Sequence, residues 1–229
     1  MIIKILRLII KAIINLIADV KIIGYENVPD SGGFVIGSNH LGRLDAALLL
    51  YGFKRDDFIL PVAEKYEHHP IFGPIGNAVG ALWIDRFNPD ISAIRKILQR
   101  IKHGQVLIIA PEGTRSKTEM LQEGKPGVVF VATKAGVPIL PAAIIGTEDR
   151  IIKENLKHFR RSKITIIAGK PFMLTSAKGG QDREKMLREQ TDDLMCRIAV
   201  MMPEKYHGFY ARHPRLQELL HEKQVHSKN

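Results

Sequence analysis

The sequence predicts an α/β domain built on a mixed, largely parallel sheet flanked by helices, with an amphipathic helix before it. Short apolar runs typical of buried strands alternate with segments that have the apolar spacing of helices. A chain of 229 residues with 45% hydrophobic and 25% charged residues can also bury one substantial core. We therefore expect an N-terminal helix over residues 1–20, an α/β domain over 21–212 and a polar C-terminal tail over 213–229.

The first eighteen residues predict a helix that lies on a membrane surface. At about 100° per residue, Lys4, Arg7, Lys11 and Asn15 fall within an arc of roughly 80°, and the rest of the helix is apolar. A transmembrane span would carry three cations into hydrocarbon, and a cleaved signal peptide would place its charges before an uninterrupted apolar segment. An interfacial helix brings Lys4, Arg7 and Lys11 to anionic lipid phosphates. The alternative is an ordinary helix packed on the domain.

Further along the chain, Gly24 and the cluster at 29–33 mark a break, after which strands and helices alternate. The predicted strands are short apolar runs at 34–37, 58–62, 81–84, 106–110, 139–144 and 163–168. The predicted helices have one apolar face each and cover 44–50, 91–101, 127–135 and 181–202.

Three polar clusters follow three of the predicted strands. Asn39 and His40 follow the first strand, Asp85 and Arg86 follow the run at 81–84, and residues 112–116 follow the run at 106–110. In open α/β sheets, ligands gather beyond the carboxyl ends of the strands. If these strands are parallel, the clusters meet at one edge of the sheet, and we expect a site there.

His40 and Asp45 are candidates for proton transfer. A histidine suits this task near neutral pH because its unperturbed pKa is about 6.5. On one regular helix, side chains five residues apart would point roughly 140° away from each other. The two can therefore meet only if His40 precedes a helix and Asp45 lies in its first turns. Such a pair would resemble the base and orienting carboxylate of a Ser-His-Asp triad, with a substrate hydroxyl in place of the serine. A histidine and an aspartate at this spacing also occur together by chance.

The other polar residues suggest an anion site. Arg86 and Arg115 each offer a planar fork of donors to phosphate oxygens, although either could be an ordinary surface charge. Gly113 would let a ligand approach the backbone, and Thr114 adds a hydroxyl donor. Glu112 could orient Arg115 or the turn, or accept a hydrogen bond from a substrate hydroxyl.

Charge and cysteine content narrow the class of protein further. The formal charge of +10 draws the chain towards an anionic partner, which could be nucleic acid, acidic lipid or a phosphorylated substrate. The single cysteine, Cys196, excludes an intramolecular disulfide and a thiol-based zinc cluster. We expect it to be a small buried residue and not a nucleophile.

Taken together, the clusters resemble the four sequence blocks of the glycerophospholipid acyltransferase family, which includes the 1-acyl-glycerol-3-phosphate acyltransferases. The resemblance covers about residues 24–172. Asn39, His40 and Asp45 match the first block; the remaining matches are Gly80, Asp85 and Arg86 in the second, 112–116 in the third, 137–141 in the fourth, and the Gly-x-Pro turn at 169–172. Gly42 departs from the family, in which many members have Ser at this position. Residues 63–66 also depart from the frequent Lys-x-Glu-Leu.

The resemblance implies that His40 is a general base oriented by Asp45, with no covalent acyl-enzyme. It implies that Arg86 and Arg115 lie near an acceptor phosphate. It also assigns a substrate-binding role to Asn39, Glu112, Gly113 and Thr114.

The implied reaction moves an acyl group from acyl-CoA or acyl-carrier protein to a lysophospholipid, with 1-acyl-glycerol-3-phosphate, which would give phosphatidic acid, as the leading acceptor. We expect no metal, no organic cofactor and no nucleic acid partner. The expected location is the cytoplasmic face of a membrane carrying anionic lipids, as a peripheral or monotopic protein. The alternatives are a different lipid acceptor, a thioesterase that uses water, or a noncatalytic anionic-lipid binder.

Overall fold

The structure is a computed structural model that describes residues 2–53, 55–70, 72–78, 80–85, 90–175 and 180–226. Its strands are β1 Ala18–Ile23, β2 Phe34–Ser38, β3 Phe58–Ile59, β4 Pro61–Ala63, β5 Leu82–Ile84, β6 Val106–Ile109, β7 Ile139–Ile145 and β8 Ser162–Ala168. Its helices are α1 Ile2–Ile17, α2 Asp45–Gly52, α3 Phe72–Ala78, α4 Ile91–Lys102, α5 Gly127–Ala135, α6 Asp149–Lys157, α7 Gly180–Ala199 and α8 Pro214–His226.

Six strands form the main sheet in the order β1-β8-β7-β2-β6-β3. β2 pairs in parallel with both β6 and β7, and β3 pairs in parallel with β6. β8 is antiparallel to β7, and β1 is parallel to β8. The predicted mixed, largely parallel sheet is confirmed. This topology also brings the carboxyl ends of β2, β6 and β7 to the same edge as the amino ends of β1 and β8; we call it the upper edge.

Helices cover both faces of the main sheet. On one face, Ile14 of α1, Leu48 of α2 and Ile152 of α6 pack in one apolar cluster with the sheet. On the other face, α4, α5, α7 and α8 contribute to a second cluster that includes Ile97 and Leu194. Because both faces are covered, a central strand such as β2 is buried along its whole length, which explains why its sequence is a continuous apolar run instead of an alternating one.

The run predicted as one strand at 58–62 is divided in two. Its first half, β3, pairs with β6, whereas β4 pairs with β5 in a separate two-stranded parallel sheet. Pro61 begins β4, and since proline has no N–H it cannot extend the hydrogen-bond ladder of the first half. The expectation that all three clusters share one sheet edge is therefore wrong for Asp85, because it follows β5, which belongs to the smaller sheet.

Both predicted boundaries of the α/β domain differ from those in the structure. α1 ends at Ile17, and Ala18 already pairs with Ser162 in the main sheet. At the other end, the segment predicted as a polar tail forms α8, which contacts α7 and buries Leu216 completely. Helix α6 was not predicted because only Ile152 of its nine residues is buried, so its apolar signal is short.

Candidate active site

His40 and Asp45 meet at the upper edge of the sheet. β2 ends at Ser38, and α2 begins at Asp45, so His40 lies before the helix and the carboxylate lies in its first turn. The His40 Nδ1 atom lies 2.8 Å from Asp45 Oδ2, and the Gly42 backbone N–H donates to the same oxygen at 2.9 Å. The two side chains therefore meet in the way that their spacing requires, with His40 before the helix and Asp45 in its first turn.

The surroundings of the pair suit a histidine that accepts a proton. The Asp45 side chain is 3% exposed and that of His40 is 25% exposed. When Nδ1–H donates to the carboxylate, the lone pair of Nε2 is left to accept a proton from a bound molecule. The other carboxylate oxygen, Asp45 Oδ1, is buried and has no hydrogen-bond partner among the described residues.

Asn39 fixes the position of the His40 loop on the neighbouring strand. Its Nδ2 donates to the carbonyl of Ile144, and its Oδ1 accepts from the Ile144 N–H, both at 2.8 Å. The side chain is fully buried and replaces a backbone ladder between β2 and β7. This placement indicates a structural role for Asn39, because both polar atoms of its amide group bond to the backbone of β7.

Glu112 also positions His40. Its Oε1 accepts from the backbone N–H of His40 at 2.9 Å, and its Oε2 accepts from the N–H of Gln122 at 3.0 Å. On the other side of the same residue, the Ser116 N–H donates to the His40 carbonyl at 2.8 Å. Burial raises the pKa of the Glu112 carboxyl above its ordinary value. Of the roles left open by the sequence, the structure supports orientation of the turn and not contact with substrate.

Of the two arginines predicted to lie near an acceptor phosphate, the structure describes only Arg115. Arg115 Nη1 lies 3.2 Å from Asp149 Oδ2, and Arg43 Nε lies 3.3 Å from the same oxygen. The Arg115 guanidinium thus forms part of a surface ion-pair cluster at the start of α6. Arg86 lies outside the described residues. Thr114 is exposed in the turn that follows Gly113.

A cavity of about 510 Å³ opens beside His40. Most of its wall is apolar and comes from α2, α4, α5, β6 and the smaller sheet. The apolar residues that line it are Ala46, Leu49, Leu60, Pro61, Val62, Ile84, Ala93, Ile94, Ile97, Ile108, Ile109, Ala110, Phe130 and Val131. The ionisable groups on the wall include His40, Asp45, Asp85, Asp90 and Lys125. A largely apolar cavity with few polar groups is the usual form of a site for an apolar ligand.

Lys125 is a site residue that the sequence reasoning missed. It lines the cavity together with Gly113, whose φ of 71° is in the left-handed region; a Cβ added at Gly113 would lie 3.3 Å from Lys125 Nζ. The glycine therefore leaves room for the lysine side chain. Among the described residues, no side-chain partner engages the Lys125 ammonium. No spacing rule relates this lysine to His40, because the loop between β6 and α5 brings it to the site.

The departure at Gly42 also has a structural reason. A Cβ added at this residue would lie 1.8 Å from the backbone carbonyl oxygen of Thr147. The close approach of the His40 loop to the segment after β7 therefore requires glycine in this chain. A serine at this position would force the two loops apart.

The fold and the site together define an α/β enzyme in which a His–Asp pair faces an apolar cavity. The acyltransferase family model matches residues 19–145, which is more than half of the chain. The chain therefore belongs to the acyltransferase family.

Relatives and solved structures support the same assignment. The chain is 28% identical over 163 residues to the 1-acyl-sn-glycerol-3-phosphate acyltransferase of Bacillus subtilis, which covers 71% of this chain and 78% of that protein. It is 29% identical over 164 residues to a probable 1-acyl-sn-glycerol-3-phosphate acyltransferase of Mycoplasma pneumoniae, covering 67% of this chain and 61% of that protein. Its fold is similar to the crystal structure of the 1-acyl-sn-glycerophosphate acyltransferase PlsC of Thermotoga maritima, with a TM-score of 0.64 and 25% sequence identity. The match covers 82% of this chain and 76% of that protein.

Proposed function

We propose that this enzyme transfers an acyl group from acyl-CoA or acyl-carrier protein to the free hydroxyl of 1-acyl-glycerol-3-phosphate and so forms phosphatidic acid. The single observation that carries the proposal is the His40–Asp45 pair facing a largely apolar cavity of about 510 Å³. The activities of the Bacillus subtilis and Thermotoga maritima relatives support the choice of acceptor.

The proposed reaction is a direct transfer between the two bound substrates. His40 Nε2 takes the proton of the acceptor hydroxyl while that oxygen attacks the thioester carbonyl carbon. The C–S bond then breaks, and the leaving thiolate takes the proton from the imidazolium. Asp45 holds the ring in the required tautomer and stabilises its positive charge. Holding both substrates in one cavity supplies much of the acceleration through proximity.

The test compares His40→Ala and Asp45→Asn with the wild-type enzyme. We expect turnover to fall by about 10²–10⁴-fold in His40→Ala, since a positioned general base contributes this much. His103→Ala is the matched control, because His103 lies at the exposed end of α4. Products formed from a panel of lysolipids and acyl thioesters are identified by mass spectrometry. Undiminished transfer in His40→Ala would contradict the mechanism, and thiol release without any lysolipid would identify a thioesterase.

We propose further that α1 lies on the surface of an anionic membrane at its cytoplasmic face. Its outward side carries large apolar side chains that are half or more exposed, namely Ile5, Leu8, Ile9, Ile13 and Leu16. Lys4 and Lys11 are exposed beside them, where lipid phosphates would lie. Among the described helices, none is both long and apolar enough to cross a membrane.

Arg7 differs from the other two cations predicted to contact the membrane. Its side chain is 14% exposed and forms an ion pair with Asp56. Its guanidinium also donates to the backbone carbonyls of Leu50 at 2.9 Å and Arg55 at 2.6 Å, and to that of Phe53. Arg7 thus faces the protein, where carbonyls in the last turn of α2 and in the loop after it accept its hydrogen bonds. We therefore propose that Lys4 and Lys11, and not Arg7, contact lipid phosphates.

Surface substitution tests the role of α1 better than deletion, because Ile14 and Ala18 are buried in the core. We expect the double variant Leu8→Gln, Leu16→Gln to fold normally and to lose most of its cosedimentation with vesicles that contain phosphatidylglycerol. Met173→Gln is the control, since Met173 is also more than half exposed but follows β8 at the opposite edge of the sheet. Unchanged sedimentation of the double variant would place the anchor elsewhere.

A further inference from the structure

We propose that residues 157–163, the basic turn between α6 and β8, form a second lipid contact. In this contact the ring of Phe159 enters the interface of an anionic bilayer, and cations of the turn meet lipid phosphates. The proposal rests on the proposed acyl transfer to a lipid acceptor. It concerns a surface that is remote from the His40–Asp45 pair in the sequence, and it can be tested without measuring turnover.

Phe159 has neither a packing role nor a favourable backbone conformation. Its side chain is 99% exposed, more than that of any other exposed large hydrophobic residue described. Its φ is 53°. Helix α6 ends with hydrogen bonds from the Phe159 N–H to the Leu156 carbonyl at 3.2 Å and from the Arg160 N–H to the Asn155 carbonyl at 2.8 Å. A helix that ends in this way has one residue with left-handed backbone conformation, here Phe159. Glycine is the usual residue at such a position. Neither local structure nor the core explains a phenylalanine there, whereas a membrane interface would.

The charges around Phe159 complement an anionic surface. Residues 153–163 contain one acidic residue, Glu154, and five basic ones, namely Lys153, Lys157, Arg160, Arg161 and Lys163. Cations in the last turn of a helix also stabilise the helix dipole, which accounts for Lys157. Arg160 and Lys163 lie beyond the helix and are exposed, so the dipole does not account for them. An exposed aromatic ring flanked by cations is the arrangement that binds anionic lipid.

The sheet places the basic turn beside the end of α1. Ala18, the residue after α1, pairs with Ser162, the first residue of β8. The Arg161 guanidinium donates to the Ala18 carbonyl at 3.1 and 2.5 Å and ties the two together. Neighbouring strands lie about 4.8 Å apart, so the apolar end of α1 and the basic turn are adjacent. This continuity with the exposed face of α1 favours a bilayer over another anionic partner.

The basic turn also stands at the edge that carries the active site. β7 ends at Ile145, which pairs with Thr165, so Ser162 lies three residues beyond the end of β7. At about 3.3 Å per residue this is roughly 10 Å. The His40 loop follows β2, whose carboxyl end is at the same upper edge. A bilayer that contacts the basic turn would therefore lie on the active-site side of the sheet.

The first experiment measures partition of the full chain onto vesicles of phosphatidylcholine with about one third phosphatidylglycerol. We expect Phe159→Gly to bind about tenfold more weakly, because it loses the burial of a large apolar side chain. Its melting temperature should stay the same or rise, since glycine suits the positive φ. The double variant Arg160→Gln, Lys163→Gln should lose about fivefold per charge at low salt. Met173→Gly, at the opposite edge, should bind like the wild type.

The second experiment reports insertion directly. Phe159→Trp is made in a Trp83→Phe background, so that the only tryptophan lies in the basic turn. On vesicles we expect a blue shift of its emission and quenching by brominated phosphatidylcholine. Met173→Trp in the same background should remain accessible to aqueous iodide.

Two results would overturn the inference. One is vesicle-bound Phe159→Trp protein that iodide quenches and brominated lipid does not. The other is unchanged partition of Phe159→Gly. Neither result would contradict the proposed acyl transfer, because neither assay measures turnover. Conversely, if the proposed reaction were disproved, both vesicle experiments would still test the lipid contact.

Discussion

Single side chains around the cavity have two different tasks. His40 and Lys125 line the cavity with polar side chains. Asn39 instead bonds to the backbone of β7, and Glu112 bonds to backbone N–H groups of two loops. A residue of the first kind can bind or transfer, and a residue of the second kind acts only through the position of another. Kinetic constants separate the two, because lost contacts to substrate raise KM and a displaced base lowers kcat.

Lys125 is expected to bind the phosphate of the acceptor, because it is a cation on the cavity wall without a side-chain partner among the described residues. A charged hydrogen bond is worth about 1.5–3 kcal/mol, so Lys125→Met should raise the KM for 1-acyl-glycerol-3-phosphate by about 10–100-fold with little change in kcat. Lys134→Met, exposed on α5 and away from the cavity, is the control. Steady-state kinetics with and without the phosphate on the acceptor provide the measurement. An equal loss of kcat with both acceptors would speak for a role at the thioester carbonyl instead.

Glu112 should make stability depend on pH. Because burial raises its pKa in the folded protein, the folded state holds this proton more tightly than the unfolded chain does. The resulting stabilisation is fully present below the unfolded pKa of about 4.3 and is lost as pH rises through the raised value. In urea titrations at several pH values, the free energy of unfolding of the wild type should therefore fall relative to that of Glu112→Gln as pH rises. A constant difference between the two proteins would contradict this prediction.

The sequence predicted the site in two ways, from local spacing and from the polar residues that follow predicted strands. The second pattern indicated Asp85 and Gly113, which line the cavity together with His40. His40 and Asp45 lie on either side of one helix start, so the strand and helix signals alone brought them together. Cys196 is likewise buried as expected, and burial raises the pKa of its thiol to about 12, which leaves it protonated at neutral pH. Glu112 contacts His40 across 72 residues, and Lys125 lines the same cavity as His40. No local spacing encodes either arrangement.

Hydrophobic periodicity predicts helix α1 but does not determine which part of its apolar surface packs on the domain. The sequence predicts a cationic stripe and an apolar remainder. In the structure the apolar part is divided between a face that packs on the domain, with Ile14 buried, and a face that is exposed. Arg7 lies where the stripe meets the packed face. Periodicity identifies the stripe, but only the position of α2 and the loop after it decides which cation faces the protein.

Arg7 is therefore expected to hold α1 on the domain. Its guanidinium serves three backbone carbonyls and Asp56, and hydrogen bonds of a charged group are worth about 1.5–3 kcal/mol each. Arg7→Gln should lower the free energy of unfolding by about that amount or more and increase amide hydrogen exchange in α1. Lys4→Gln, Lys11→Gln is the matched control, which should weaken binding to anionic vesicles without a change in stability. Unaltered exchange in α1 of Arg7→Gln would show that apolar packing alone holds the helix.

At the scale of the whole molecule, the alternating apolar runs predicted the fold class but not the strand order. The central strands β2 and β7 are buried on both faces almost along their whole length. Their apolar sequences therefore do not indicate which strands lie beside them. The antiparallel β8 and the edge strand β1 are set by long-range packing. The strand order brings the end of α1, the basic turn and the His40 loop to one edge of the sheet.

The net charge of +10 and the apolar surfaces at this edge should contribute separately to membrane binding. Salt shortens the Debye length from about 10 Å at 0.1 M to about 3 Å at 1 M, so partition onto vesicles with phosphatidylglycerol should fall as salt rises. The apolar part does not depend on this screening, and a residual fraction should stay bound at 1 M. That fraction should disappear in Leu8→Gln, Leu16→Gln, while pure phosphatidylcholine vesicles should show little salt dependence. Sedimentation across a salt series measures both parts, and full release of the wild type at 1 M would mean that charge alone holds this enzyme on the bilayer.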